Sequence, residues 1–177
     1  MKKVRIQYNA GVTLIELMAV VAIVGIAIVM AVPSFIDTIE RKRMIQAAET
    51  LYNEIKFVHS EALRTQGNRQ VAISAGTNWC FAISDGGGCN CNTANSCTFG
   101  GNSRVTSSTN YPNVTTTVTG LTTSGGNTYL EVTGTRGLVT NTGQVNFAIN
   151  GMTLSVVINK AGHVSLCSNT IMDYDPC

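Results

Sequence analysis

From Val12 to Val32 the chain is apolar except at Thr13, Glu16 and Gly25. As one helix this run of 21 residues measures about 31 Å at roughly 1.5 Å per residue, which matches a hydrocarbon core of about 30 Å. Lys2, Lys3 and Arg5 precede it, and no acidic residue lies among the first eleven positions. The positive-inside rule therefore predicts a single crossing with the N-terminus cytoplasmic and the remainder outside. A secretory signal has a shorter apolar core and a small-x-small cleavage site, so this segment is expected to be retained. Glu16 does not suit a plain anchor. A carboxylate deep in hydrocarbon costs about 2.5 kcal/mol or more, which calls for a counter-charge unless the side chain snorkels to the interface.

Pro33 follows the run and predicts a helix bend, because proline removes a helical hydrogen bond and clashes with the preceding turn. Beyond it Ile36, Ile39, Met44, Ala47, Leu51, Ile55, Val58 and Ala62 recur at intervals of mostly three or four residues. Asp37, Glu40, Arg41, Lys42, Glu49, Glu54 and Glu61 fill much of the remaining surface, the pattern of an amphipathic helix. It is expected to reach Arg64 or Gln66, with Gly67-Asn68 as its stop. From Val71 onward threonine, serine, asparagine, glycine and valine dominate in short alternating runs. Expected strands are 70–74, 79–83, 115–119, 129–133, 143–149, 154–158 and 163–167, with Asn150-Gly151 as a tight hairpin turn. The fold class is thus α+β: a long N-terminal helix, transmembrane in its first half and amphipathic in its second, laid on an antiparallel sheet.

Gly11-Val12-Thr13-Leu14-Ile15-Glu16-Leu17 resembles the leader junction of type IV pilins and type II secretion pseudopilins. Most members write phenylalanine where this chain has Val12. The resemblance implies a leader, residues 1–11, removed by a prepilin peptidase after Gly11, with N-methylation of Val12. It also gives Glu16 a counter-charge, the new ammonium on Val12 of a neighbouring subunit. Both charges must be desolvated, so the pair serves register more than net stability. His59-Ser60-Glu61-Ala62, Val71-Ala72-Ile73, Trp79-Cys80 and Ile158-Asn159-Lys160-Ala161-Gly162-His163-Val164 resemble the GspH/FimT-type subfamily. The expected organisation is a leader 1–11, a transmembrane and filament-core helix 12–33, an amphipathic helix 34–66 and a β-rich periplasmic or extracellular head 67–177. The location the resemblance implies is the inner membrane, single-pass with the head periplasmic, before incorporation into a pilus or pseudopilus. The implied function is a minor pilin of a type IV pilus, with a minor pseudopilin of type II secretion as the alternative. Implied partners are prepilin peptidase, other major and minor pilins or pseudopilins, and the inner-membrane assembly platform.

All six cysteines, Cys80, Cys89, Cys91, Cys97, Cys167 and Cys177, follow the apolar run, as expected for disulfides in an oxidising compartment. Cys167 with Cys177 is the preferred pair, fastening the tail Asp173-Tyr174-Asp175-Pro176. The resemblance adds that such a disulfide-bounded C-terminal region is common in type IV pilins. Cys80 could close on Cys89, Cys91 or Cys97, and spacing does not choose among them. Zinc is disfavoured because Cys89-Asn90-Cys91 is spaced too tightly and neither histidine is near in sequence.

Lys+Arg is 12 and Asp+Glu 10 in the whole chain, but three of the cations belong to the leader. Within 67–177 the charges are Arg69, Arg104, Arg136 and Lys160 against Asp85, Glu131, Asp173 and Asp175. DNA capture, which some FimT-like pilins resemble, is the remaining binding function. Its weak candidate here is Lys160, because His163 follows Gly162 where arginine is usual. Four dispersed cations offer little phosphate neutralisation. Nothing points to an enzyme, a metal or a cofactor: His59 and Ser60 are adjacent on a helix, and Gly86-Gly87-Gly88 lacks the lysine of a phosphate loop.

Overall fold

The structure is a computed structural model that describes residues 12–124 and 127–177, with side chains described throughout these except at 30–34, 124 and 127. Helix α1 spans Leu14–Thr65. Thr13 caps it, its Oγ1 accepting from the Glu16 amide at 3.3 Å. Thr13-Leu14-Ile15-Glu16 therefore has the capping-box spacing, and Glu16 sits in the first turn where the helix dipole favours an anion. At the other end Gln66 takes the left-handed conformation, φ 54°, one residue before the glycine expected to stop the helix. The chain divides into two compact units, Met1–Ile39 and Glu40–Cys177.

Two expectations are corrected. Among the described residues no helix is long and apolar enough to cross a membrane, which removes the transmembrane first half from the fold and the single-pass inner-membrane topology with it. The described apolar side chains of the N-terminal part of α1 run from Leu14 to Val29. The first turn of this stretch carries Glu16.

In the second unit the strands are β1 (Arg69–Ser74), β2 (Cys80–Ser84), β3 (Thr98–Phe99), β4 (Asn102–Ser103), β5 (Val105–Ser107), β6 (Thr115–Thr119), β7 (Thr122–Ser124), β8 (Asn127–Val132), β9 (Gly143–Ile149), β10 (Met152–Ile158) and β11 (Val164–Cys167). They pair antiparallel into a five-stranded sheet, β5-β2-β1-β8-β7, a four-stranded sheet, β11-β10-β9-β6, and the small β3-β4 ribbon. Two sheets thus stand where the sequence suggested one, and the register of each follows the apolar alternation. On β9, Val145, Phe147 and Ile149 are buried while the residues between them are half-buried. Asn150 and Gly151 close the β9–β10 hairpin with φ of 47° and 78°, the left-handed pair that a two-residue turn needs.

Met44, Ala47, Ala48, Leu51, Ile55, Val58 and Ala62 form a buried stripe of α1. They share one core with Val71, Ile73, Phe81 and Leu130 of the larger sheet and Val145, Phe147, Leu154 and Val156 of the smaller. Trp79 lies among them, 1% exposed, with its indole Nε1 donating to Val114 O at 2.8 Å. Its ring stacks on Phe81 and meets Phe147 edge-on. A second core lies on the opposite face of the larger sheet, made of Ala72, Ala82, Cys80, Cys89, Cys91 and Cys97 with Tyr129 at its margin. Strand β2 is buried at every position because it lies between these two cores.

The helix end is held to the loop after β8. Asn68 Oδ1 accepts from the Gly134 amide at 3.1 Å, and a Cβ on Gly134 would stand 2.3 Å from Gln66 C and 2.4 Å from Gly67 N. Both obstacles are backbone. Gly134→Ala is expected to lower stability by about 1–3 kcal/mol, read as a reduced midpoint in denaturant, because the helix terminus and the loop must separate.

Candidate assembly site and disulfide-bounded tail

Side chains on the N-terminal part of α1 have few contacts within the chain. Val12, Leu14, Ile15, Leu17 and Met18 are 60–78% exposed, and Val20, Ile23, Ile26 and Val29 are 54–74% exposed. Val21, Ala22, Gly25, Ile26 and Val29 line a shallow apolar groove of about 350 Å³, where Gly25 has no neighbour within 4 Å of the point a Cβ would occupy. Glu16 is exposed among these apolar side chains, and its side chain makes no ion pair among the described residues. Transferring this face out of water is worth roughly 25 cal/mol per Å² of apolar area, so the chemistry on offer is association. Gly11 and the rest of the 1–11 leader lie outside the described residues, as does the Pro33 side chain to which a bend was assigned.

The six cysteines form three disulfides: Cys80–Cys91, Cys89–Cys97 and Cys167–Cys177, with Cα separations of 5.9, 5.0 and 5.0 Å. The first two interlock. They pin the segment from Cys89 to Cys97 over β1 and β2, where Tyr129 Oη donates to Cys89 O at 2.8 Å. Cys80–Cys91 is one of the three closures the sequence left open, and the Cys89–Cys97 pair is what sequence reasoning did not name. The alternation of Cys80 and Ala82 on the face opposite Phe81 and Ile83 was the one visible signal of the core they build.

Cys167–Cys177 closes a tail loop against the helix. Ile171 plugs into the main core at 3% exposure, while the neighbouring Met172 is fully exposed. Arg41 Nη2 lies 2.6 Å from Asp173 Oδ2, and Tyr174 Oη donates to Glu49 Oε1 at 3.1 Å. Burial, and then the hydrogen bond and negative charge of Glu49, push the Tyr174 hydroxyl from its ordinary value of 10 to about 12. The neutral phenol is the form the fold favours. Its contribution to tail docking is therefore fully present below about pH 10 and is lost as the pH rises toward about 12. Tyr174→Phe should remove this component, and comparing the two proteins' unfolding free energies across that window measures it.

Lys160 and Arg136 are exposed and make no ion pair among the described residues, whereas Arg69 lies 3.5 Å from Asp85 and Arg104 lies 2.9 Å from Glu54. Lys160 belongs to the β10–β11 turn, where its carbonyl accepts from the Val139 amide. His59 Nε2 lies 3.0 Å from Gly137 O, and a Cβ on Gly162 would stand 2.5 Å from its ring. His59 fills a packing position between two turns, and His163 is exposed on the second of them. Among the described residues no cluster of three or more His, Cys, Asp or Glu could hold a metal ion.

No curated protein matches the chain. Among solved structures, the crystal structure of the type IV minor pilin FimU of Pseudomonas aeruginosa is similar at 18% identity over 72% of this chain and 90% of that one, with a TM-score of 0.48. The family model for the prokaryotic N-terminal methylation motif matches residues 6–32. The model for type II transport protein GspH matches residues 47–162, more than half of the chain. The chain therefore belongs to the GspH family, as a minor pilin or pseudopilin subunit that bears the N-terminal methylation motif and has a structural, non-catalytic role.

Proposed function

We propose that the chain is a minor subunit of a type IV pilus, cleaved after Gly11, N-methylated on Val12, and built into the fibre by burying the apolar part of α1 against neighbouring helices. The observation that carries this reading is the unbroken exposure of apolar side chains from Leu14 to Val29 around one exposed carboxylate, Glu16. In a bundle the Glu16 carboxylate meets the Val12 ammonium of an adjacent subunit. The pair sets axial register, because a one-turn slip would strand both charges in a low-dielectric surround. The tail closed by Cys167 and Cys177 favours a pilus. The family description favours the second reading, a minor pseudopilin of a type II secretion assembly. Family membership implies a prepilin peptidase and pilus or pseudopilus assembly components as partners; the particular neighbours in the fibre belong to the proposal.

Glu16→Gln separates the charge from the capping role, since glutamine keeps the capping-box spacing with Thr13. It should fold as the parent does and enter sheared fibres about tenfold less, as expected for loss of roughly 1.4 kcal/mol of pairing. Normal incorporation on immunoblots of the fibre fraction would remove the register argument. Gly11→Ala should leave the leader attached, and intact-mass analysis of the purified subunit reads this directly. Detecting the subunit in pili or in a secretion pseudopilus, in cells deleted for one or the other machine, separates the two readings.

A further inference from the structure

Strand β5 (Val105–Ser107) is an edge of the five-stranded sheet. Its partner is β2, with Cys80 opposite Ser107, Phe81 opposite Thr106 and Ala82 opposite Val105. The Ser108 amide donates to Trp79 O at 2.9 Å in the same register. Hydrogen-bonded pairs alternate along an antiparallel ladder, so Thr106 turns its amide and carbonyl toward β2 while Val105 and Ser107 turn theirs to the free side. Among the described residues the Ser107 carbonyl opens the 3-10 turn Ser108–Asn110, and nothing bonds to the other three groups, the Val105 amide and carbonyl and the Ser107 amide.

Edges are commonly guarded by a charge, a proline or a bulge. Val105-Thr106-Ser107 has no charge and no proline, and Val105 is 39% exposed. The adjacent cation is drawn off the edge: Arg104 lies over the Phe57 ring at 5.0 Å and pairs with Glu54 at 2.9 Å. A cavity lies on each face of this edge. The inner one, about 240 Å³, is lined by Glu54, Phe81, Ile83, Arg104 and Thr106. Glu54 spends Oε1 on Arg104, while its buried Oε2 has no hydrogen-bond partner. The outer one, about 510 Å³, lies beside the disulfide-pinned segment and is lined by uncharged polar side chains such as Asn78, Asn92, Thr93, Asn95 and Ser107.

A free ladder with a pocket on either face is the arrangement that receives an extended strand: main-chain bonds hold it and alternate side chains enter the pockets. We propose that β5 accepts an extended segment of a partner protein, whose inward side chain is a hydrogen-bond donor aimed at Glu54 Oε2 and whose outward side chains are small and uncharged. The partner's chemistry follows from the free carboxylate oxygen within and the neutral cleft without. The inference concerns the head alone and stands whether or not the Glu16 pairing does.

The test uses the full chain in mild detergent and capped heptapeptides of alternating Thr and Val whose central residue is Lys, Asn, Ser, Asp or Ala. The Lys, Asn and Ser peptides should bind, slowing hydrogen exchange at the amides of Val105 and Ser107, with Asp and Ala weaker by about tenfold. Val105→Pro removes an outward amide and leaves the β2 ladder whole, so it should abolish binding. If that variant does not fold, a backbone N-methylated Lys peptide tests the same bonds on the unaltered protein and should not bind. Absence of binding by every peptide, equal binding of the methylated one, or equal binding of Asp and Lys peptides overturns the proposal. So does self-association through this edge that competes with every peptide, which would make the occupant a second copy.

Discussion

Trp79→Ala should lower the stability of the head by about 3–5 kcal/mol, the range for removing a buried tryptophan. Three costs add at this position. The side chain is among the largest fully buried in the molecule, and its loss opens a cavity between the two sheets where Phe81 and Phe147 cannot both collapse inward. Its indole also satisfies Val114 O, inside a segment otherwise tied down by few backbone bonds. Trp79→Phe divides the effect: it keeps much of the volume and strands the carbonyl, which costs about 1–3 kcal/mol. Equilibrium unfolding in denaturant measures both. A loss below about 1 kcal/mol for the alanine variant would mean that the two sheets do not share the core described, since ordinary surface changes lie within about 0.5 kcal/mol.

Breaking the outer staple is the second large effect. Replacing Cys89 and Cys97 by serine releases a loop of sequence separation 8, and replacing Cys80 and Cys91 releases one of 11. Chain entropy alone gives about 2.5–3 kcal/mol for each. The native-state loss comes on top, because these sulfurs are the outer core and cover Ala72 and Ala82. Serine hydroxyls buried there lack assured partners. The two bridges overlap in sequence and touch in space, so the double removal should cost less than the sum of the single ones in chain entropy and more in exposed sheet. Urea unfolding of the parent, each pair variant and the combined variant measures the coupling. The tail bridge between Cys167 and Cys177 is separate from this core, so its removal should add independently.

The legible parts of the fold were those where one side of an element faces water and the other does not. The stripe from Met44 to Ala62, the alternation of β9 and the Asn150-Gly151 turn could all be read because burial imposes a period. β3, β4, β5 and β7 were not anticipated. They are two or three residues long, too short for a period, and β5 lies in a serine- and asparagine-rich stretch that reads as loop. The pairing of the first four cysteines was illegible for another reason: Cys89 and Cys91 are close enough in sequence that either could meet Cys80, and only the path of the segment from Cys89 to Cys97 across the sheet decides. The apolar run was legible as a helix, yet reading it as a span overlooked what the Thr13 cap does with Glu16, which can serve a first helical turn without any bilayer.

Strand β1 is hydrogen-bonded to β8, with Val71 opposite Leu130, and the helix stripe ending at Ala62 is covered on its other flank by residues as late as Ile158 and Val164. A ribosome adding about 5–20 residues per second needs roughly 5–20 s to travel from that stripe to the strands that shelter it. During that interval Met44, Leu51, Ile55 and Val58 have no permanent cover. The helix stripe therefore waits on the last strands for its cover, and slowing translation ahead of β9 should increase aggregation of the nascent subunit rather than relieve it.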